Sequence, residues 1–508
     1  MQGQATFESV LLRIIRAAEL ATLFRGQPTF AKRKGIDNML EYRFGFLCAR
    51  NGEAPSDANE TWTTVQQAWA KYVIGNFSLW VDPLLPIVQR SKEGQELVVL
   101  GDAFGMHRRP ITTVVDEFLR TASWSVLDEL GGRFAVLIIS ADECRVAHDA
   151  FGSRSVFYLA DGRFACASHA ALLARAYGIG RSKTIARYMQ RPEFHKRSVK
   201  YLPGDMTVYE QLYALVPNNY LDSKDNRMHR YWPVTHKRSA TMDDFHSEVD
   251  KYFAAFVPFV TARYEPIFGI TGGVDSRAVY CGFRRHGVSF RGVTWGAGYL
   301  TPPEEPVVKE IVSRLGINHS YLDPRKHPSK TFGIAGGCNS GNFRGASSLT
   351  EAMAAQFGDL SAAVFVRGYG GEIMRGFYNL RAKPMQDLQA ESLMSAYGSS
   401  MRGVAPSKAY KASCTAIFAE FRDRANYGGL ESFGYDPSDI FYWEHRMGMW
   451  GSAMLNEMDP AVYSLVGFNS RDLFSTTFAL PPKQRLTKKL LKDVIFRNDQ
   501  ELAEIPYA

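Results

Sequence analysis

The stretch Ile267-Phe268-Gly269-Ile270-Thr271-Gly272-Gly273-Val274-Asp275-Ser276-Arg277 constrains this chain more than any other. An apolar run ends in a hydroxyl residue and two glycines. Asp-Ser then opens a segment, Arg277-Ala278-Val279-Tyr280-Cys281-Gly282-Phe283, with helical texture. The order reads as buried strand, tight loop and helix start. Glycines let the backbone approach a phosphate closely, and free N–H groups at a helix start point toward it. Asp275 can carry Mg²⁺, and Thr271 and Ser276 add hydroxyl donors. The Gly-Lys-Ser/Thr of the Walker pattern is absent. The loop points to a chain that uses ATP, and a plain turn at Gly272-Gly273 is the competing explanation.

The flanking sequence suits such a loop. Pro266 to Ile270 reads as a strand, about Ser276 to His286 as a helix, and Ser289 to Trp295 as a strand. Pro306 to Leu315 then reads as a helix and His319 to Leu322 as a strand. This alternation implies right-handed βαβ units and a parallel sheet, whose ligands bind at the carboxyl ends of strands, where the Thr271 loop lies. Beyond about Ser347 the texture is mostly helical, with one more apolar run at Ala362 to Val366. From Tyr42 to about Trp232 the chain is β-rich, with short runs such as Phe44 to Cys48, Leu97 to Leu100 and Phe134 to Ile139 between Gly and Asp turns. Arg145 to His148, Val156 to Tyr158 and Arg163 to Ala167 continue it, and the polar stretch Val234 to Asp244 reads as a linker.

With 508 residues, 45% hydrophobic and 22% charged, the chain suits a soluble globular protein of about two to three domains. Its net charge of +8 is scattered, with no arginine-rich arm, zinc-finger spacing or RNA-binding signature. Solvated surface is therefore expected, and no nucleic-acid partner. Six cysteines without CxxC spacing make a reduced, cytoplasmic pattern. Arg13, Arg16 and Glu19 interrupt the apolar start, so neither a signal peptide nor a membrane span is expected there. An amphipathic helix docked on the core is the simpler reading, and one on a membrane surface the weaker.

The Thr271 loop resembles the pyrophosphatase loop of the ATP-pyrophosphatase superfamily, with Thr271 in place of its usual serine. Further segments fall in the order seen in asparagine synthetases and β-lactam synthetases. Leu130-Gly131-Gly132-Arg133-Phe134-Ala135-Val136 is similar to a strand of their glutaminase domain. Asp149 to Tyr158 is similar to the segment that follows, and Ala167-Ser168 to an Ala-Ser-Glu. Val216-Pro217 with Arg230-Tyr231-Trp232 resembles the hinge into the synthetase domain. The scattered motifs span roughly Phe44 to Lys492. The resemblance implies an α+β, Ntn-hydrolase-like sandwich followed by an α/β domain with a parallel sheet. Residues 1–40 would be a helical extension, 41–232 a degenerate class II glutamine amidotransferase-like domain, and 245–508 an ATP-pyrophosphatase synthetase domain.

Val364-Phe365-Val366-Arg367-Gly368-Tyr369-Gly370-Gly371-Glu372 reads as a strand running into a second glycine loop. Gly370 would face the nucleotide, and Asp275 with Glu372 would hold Mg²⁺ against the triphosphate. The family carries a metal-binding aspartate in this segment, so Glu372 is a conservative departure. Tyr369 matches the catalytic tyrosine of β-lactam synthetases, and Glu457 in Leu455-Asn456-Glu457-Met458-Asp459-Pro460 their catalytic glutamate. Such a dyad takes a proton from an attacking amine. Glu457 as a helix-end salt-bridge residue is the rival. Lys488 resembles the family's late lysine, with Lys489 one register away. Thr294 and Gly296 lie where relatives contact adenine, beside Trp295, which either stacks there or belongs to the core. Glu305 matches a common acidic position. For Tyr442 to Trp450, core packing is preferred over a substrate wall.

A class II glutaminase uses a cysteine at the mature N-terminus. This sequence begins Met1-Gln2-Gly3-Gln4, and Cys48 lies within the first strand. Glutamine is therefore not expected as nitrogen donor. The expected activity is AMP-forming amide ligation, using ATP and Mg²⁺. The substrate would be a small molecule or peptide carrying a carboxylate and an amine, with ring closure of a precursor peptide as one form. Ammonia-dependent amidation, a tRNA-modifying ATP pyrophosphatase and a non-catalytic scaffold are the alternatives.

Overall fold

The computed structural model describes residues 40–56, 60–295, 304–341, 348–381, 384–401 and 405–508. The expected helical extension lies outside the described residues but for its last position, and so does Gly296.

The first half is built on two antiparallel six-stranded sheets. One runs, in spatial order, Leu212–Ala214, Phe157–Leu159, Ala165–Ala167, Phe46–Arg50, Phe77–Val81 and Ala70–Ile74. The other runs Arg227–Arg230, Asn219–Asp222, Cys144–His148, Leu130–Ile139, Gln95–Gly105 and Ile87–Lys92. Phe46, Cys48 and Leu79 of the first share a core with Val98, Leu100 and Leu137 of the second. The alternate residues Leu47 and Ala49 pack outward on the helix Ala170–Tyr177, through Leu172 and Leu173. On the far side Val114, Val115 and Phe118 of the helix Ile111–Thr121 cover Leu97, Val99 and Val136. The layers are therefore helix, sheet, sheet, helix. Both faces of the central strands are buried, which is why they read as unbroken apolar runs rather than alternating ones.

The second half carries a five-stranded parallel sheet with helices around it. Its order is Asn318–Leu322, Arg291–Trp295, Glu265–Gly269, Ala363–Arg367 and Tyr463–Val466. In chain order this is 3-2-1-4-5, so the direction of winding reverses between Glu265–Gly269 and Ala363–Arg367. The strand Tyr463–Val466 departs from the expectation that the apolar run at Ala362 to Val366 is the last. Four buried residues have no period that separates a strand from a core helix. The stretch expected as linker up to Asp244 also ends early. A capping box, in which Thr241 Oγ1 accepts from the Asp244 N–H and Asp244 Oδ2 from the Thr241 N–H, starts a helix over Met242–Thr261.

The halves meet through buried polar contacts. Arg133 donates to both carboxylate oxygens of Asp459, at 2.6 and 2.7 Å, and to Asn456 Oδ1. Asn469 Nδ2 donates to Asp149, Phe151 N–H donates to Asn469, and Trp443 Nε1 donates to the Ala150 carbonyl. Arg230 forms a two-pronged ion pair with Glu444, which also accepts from Asn218. The segments that read as glutaminase motifs, Gly131-Gly132-Arg133 and Asp149 to Ser153, thus serve here as the seat for the second half. Cys48 is in mid-strand, buried and paired across to Leu79 and Cys166. The chain before it is packed too. Tyr42 is buried, its N–H donates to Asn339 Oδ1, and Phe44 N–H donates to Asp82. All six cysteines are free and buried. Among the described residues no helix is long and apolar enough to cross a membrane.

Candidate active site

Ligands of open parallel sheets sit beyond the strand carboxyl ends where the winding reverses. Two loops meet there. Thr271 to Gly273 follows Glu265–Gly269 and opens the helix Val274–Arg285, and Gly368 to Gly370 follows Ala363–Arg367 and opens the short helix Gly371–Met374. The first loop is organised by its own hydroxyls. Thr271 Oγ1 lies 2.8 Å from Ser276 Oγ and accepts from the Gly273 N–H at 3.3 Å. Gly273 is the helix N-cap and has no side chain to occupy the first-turn N–H groups, which leaves them for a ligand.

The second loop can lie against the first only because it is glycine. A Cβ on Gly368 would fall 2.7 Å from Ser276 Cα, and one on Gly371 would fall 3.0 Å from Asp275 Oδ1. Gly370 has φ +97°, a conformation in which side chains are strained. These contacts bring Asp275 and Glu372 together.

Asp275 is already engaged. Arg375 grips it with a fork, Nε to Oδ1 and Nη2 to Oδ2, both at 2.9 Å. Glu372 differs, because its Oε2 is buried without a hydrogen-bond partner. Burial pushes the Glu372 carboxyl up to about 8, the negative Asp275 adds to the shift, and Arg375 and Arg446 oppose it. A divalent ion fits this donor set, since it would supply a partner to the orphaned oxygen and offset the repulsion between two carboxylates. Among the described residues no cluster of three or more His, Cys, Asp or Glu could hold a metal. An ion held by Asp275 and Glu372 would draw its other ligands from outside these side chains, such as a bound substrate or water.

Glu372 sets a pH dependence. In the unfolded chain a glutamate releases its proton near about pH 4.3, and in the folded chain only near about 8. Between these values the folded state binds more protons, so its stability falls as pH rises and levels off above the upper value. Glu372→Gln keeps the shape without the charge. It is expected to flatten this part of the profile, read as urea midpoints from about pH 5 to 8.5 without divalent cations. A profile as steep as that of the unaltered protein would remove Glu372 as its source.

Tyr369 stacks on Phe151 of the first half, with rings parallel to within 4° and centroids 6.1 Å apart, and meets Trp450 at 5.8 Å. Its hydroxyl accepts from Arg367 Nη1 at 3.3 Å. Glu457 is buried on the helix Ser452–Met458, and its carbonyl accepts from Thr350 Oγ1. Among the described residues no hydrogen bond joins Tyr369 directly to Glu457. Lys488 and Lys489 are both exposed at the start of the helix Lys489–Asn498. Thr294 Oγ1 is used within the sheet, donating to the Ile270 carbonyl and lying 2.9 Å from His319 Nε2, so it braces the first loop from behind. Trp295 packs against Phe365, and Glu305 is exposed and paired with Lys309.

Sequence reasoning passed over several neighbours of the site. Arg375 and Arg446 lie close enough to act on the Glu372 carboxyl, and Arg277 braces the Thr271 loop. The buried Arg277 guanidinium donates to the carbonyls of Ile505 and Pro506, and the Ala508 N–H donates to the Gly272 carbonyl. The segment Tyr442–Gly451 is a π-helix, a winding found often at functional sites. Tyr442, Trp443, Met447 and Met449 are core, while Arg446 and Trp450 are half-buried near Tyr369.

No family model matches the sequence, and no curated protein matches it. Among solved structures the chain is similar to an NMN synthetase from Francisella tularensis, with 10% identity and a TM-score of 0.19 over 37% of this chain and 98% of that one. It is also similar to a glutamine PRPP amidotransferase from B. subtilis, with 13% identity and a TM-score of 0.20 over 65% and 77%. A third is an allosteric regulatory enzyme of purine biosynthesis, with 12% identity and a TM-score of 0.19 over 77% and 84%. Likenesses this slight carry no argument about fold or function.

Proposed function

We propose that the protein is an ATP-dependent, AMP-forming ligase that joins a carboxylate to an amine, with the first half as a scaffold without glutaminase activity. One observation carries this reading: the Thr271–Ser276 loop and the Gly368–Glu372 loop meet at the winding reversal of a parallel sheet, with Asp275 beside a partnerless Glu372 oxygen. The helix layers enclosing paired antiparallel sheets suit the Ntn-like sandwich that the sequence resemblance implies. The buried, mid-strand position of Cys48 argues against its use as a nucleophile.

A substrate carboxylate oxygen attacks the α-phosphorus of ATP, forming the acyl-adenylate as the bond to the β-phosphate oxygen breaks and pyrophosphate leaves. N–H groups at the start of the helix Val274–Arg285, with the hydroxyls of Thr271 and Ser276, receive the departing phosphates. Mg²⁺, held by Glu372 and Asp275, would neutralise charge on the triphosphate. Arg375 keeps Asp275 in place. An amine nitrogen then attacks the acyl carbon, and AMP leaves. In the dyad that the sequence resemblance implies, Tyr369 would take the amine proton as it releases its own hydroxyl proton toward Glu457, with Arg367 meeting charge on the tyrosine oxygen. Lys488 would reach in to stabilise charge on the leaving group or the tetrahedral intermediate.

The two half-reactions separate experimentally. Tyr369→Phe keeps the ring between Phe151 and Trp450 and deletes the hydroxyl. It is expected to leave acid-dependent exchange of labelled pyrophosphate into ATP within about threefold, while amide formation falls by about 10²-fold or more. Full amide formation in the variant would end the role given to Tyr369 without touching adenylation.

A further inference from the structure

Arg367 and Arg446 are arranged unlike the other arginines at this site. Arg375 is satisfied by Asp275. Arg367 is only 6% exposed, and its Nε and Nη2 have no hydrogen-bond partner. Arg446 Nε and the indole Nε1 of Trp450 are likewise buried and unpartnered. The flat faces of both guanidinium groups are covered. Arg367 lies 5.2 Å from the Phe365 ring centroid and 5.3 Å from that of Tyr369, and Arg446 lies 4.9 Å from Phe377 and 5.7 Å from Trp450. Tyr369 and Trp450 touch, so the two cations bracket one aromatic pair. Aromatic faces attract a cation but accept nothing from its N–H edges. An arginine cannot shed its charge, and leaving charged donors buried and unmet costs more than burying neutral ones. Four unmet donors around one aromatic pair make a site shaped for an acceptor, and a guanidinium fork matches a carboxylate or phosphate edge.

Resting on the ligase reading above, we propose that the acid activated here carries a second anionic group on a planar or apolar body. The donor edges of Arg367 and Arg446 and the indole N–H of Trp450 hold that group, and the Tyr369–Trp450 pair lines the body. The reacting carboxylate is then left to the loops that hold ATP. Substrates with a single carboxylate and an uncharged remainder leave these donors unmet and are discriminated against, as is usual where a site is built to hydrogen-bond a group that an analogue lacks.

The test is calorimetric titration of the full chain, with Mg²⁺ and α,β-methylene-ATP and again without them, using three probes. These are 3-phenylpropionate, 2-phenylsuccinate and 3-phenyl-3-phosphonopropionate, which share a phenyl body and differ in the second anionic group. With nucleotide present, at least one doubly acidic probe should bind about tenfold or more tightly than 3-phenylpropionate, the effect of one hydrogen bond to a charged group. Whichever of the two binds better identifies the group. Arg367→Met and Arg446→Met should each remove most of that preference, read within each variant as the ratio of the affinities for the doubly acidic probe and 3-phenylpropionate. Trp450→Phe, which keeps a ring and deletes only the N–H, should weaken the preference in a protein with an unaltered urea midpoint. Equal binding of all three probes overturns the proposal, as does a preference that survives both arginine substitutions. Loss of the preference once nucleotide is bound also overturns it, since the arginines would then belong to ATP. If the preference holds but no acid releases pyrophosphate from ATP, the anion pocket stands and the ligase reading falls.

Discussion

Asp275→Asn is expected to lower acid-dependent pyrophosphate release by about 10²- to 10³-fold, the scale on which loss of one preorganised electrostatic group is felt in a transition state. The substitution removes a negative charge at the head of the helix Val274–Arg285 and changes little else in shape. One oxygen remains to accept from Arg375, but the fork loses its charge partner and Glu372 loses the neighbour with which it would hold Mg²⁺. The fold should survive. The Asp275 side chain is 24% exposed, so the pair is partly hydrated and its loss should cost about 1 kcal/mol, well short of the cost of breaking a fully buried one. Activity and stability therefore separate in this variant. Release rates within a few-fold of the unaltered protein would remove Asp275 from the chemistry.

The largest stability effect is expected at Arg133→Met. All five N–H donors of Arg133 are used. Nε donates to the Ser153 carbonyl, Nη1 to Asp459 and to the Ser464 carbonyl, and Nη2 to Asp459 and Asn456. Both partners of the ion pair are completely buried. Removing the cation strands the Asp459 carboxylate, which typically costs about 3–5 kcal/mol. In a chain of this size one midpoint is not a global free energy, so the reading is the first transition in urea and amide exchange in the strand Tyr463–Val466. Both should be affected, because the contact crosses between the halves. The double variant Arg133→Met with Asp459→Leu should recover much of the loss, since an apolar pair leaves no stranded charge. Asn456 and Asp459 flank Glu457, so Arg133→Met should also slow amide formation. A single variant with an unchanged first transition would mean that the halves are held by other contacts.

What could be read from the sequence was what is local. Thr271, Gly273 and Ser276 bond to one another within five residues, and the strand-loop-helix order around them follows from local sequence. The parallel alternation through Leu322 was legible for the same reason. What was missed depends on contacts distant in sequence. Arg375 lies one hundred residues from Asp275, and just past a four-residue helix it looks like surface charge. Gly368 and Gly371 are visible as a turn, but the reason for glycine is the backbone of Ser276 and the carboxylate of Asp275. Arg367 looks like the polar end of a strand until the rings on either side of it are seen. The segment Tyr442 to Trp450 divides between core and site because its π winding is invisible in a pattern read at helical spacing. Motifs of the first half were recognisable, but their work of gripping Asp459 and Asn469 appears only in three dimensions.

In the proposed reaction ATP is cleaved between its α- and β-phosphates to activate a carboxylate. Phosphorus NMR of the full chain with ATP, Mg²⁺, a panel of mono- and dicarboxylic acids and hydroxylamine as trapping amine tests it most directly. AMP and pyrophosphate should appear in equal amounts, matched by hydroxamate of the accepted acid, and Asp275→Asn should suppress all three together. ADP with inorganic phosphate, or ATP left intact across the whole panel, would contradict it.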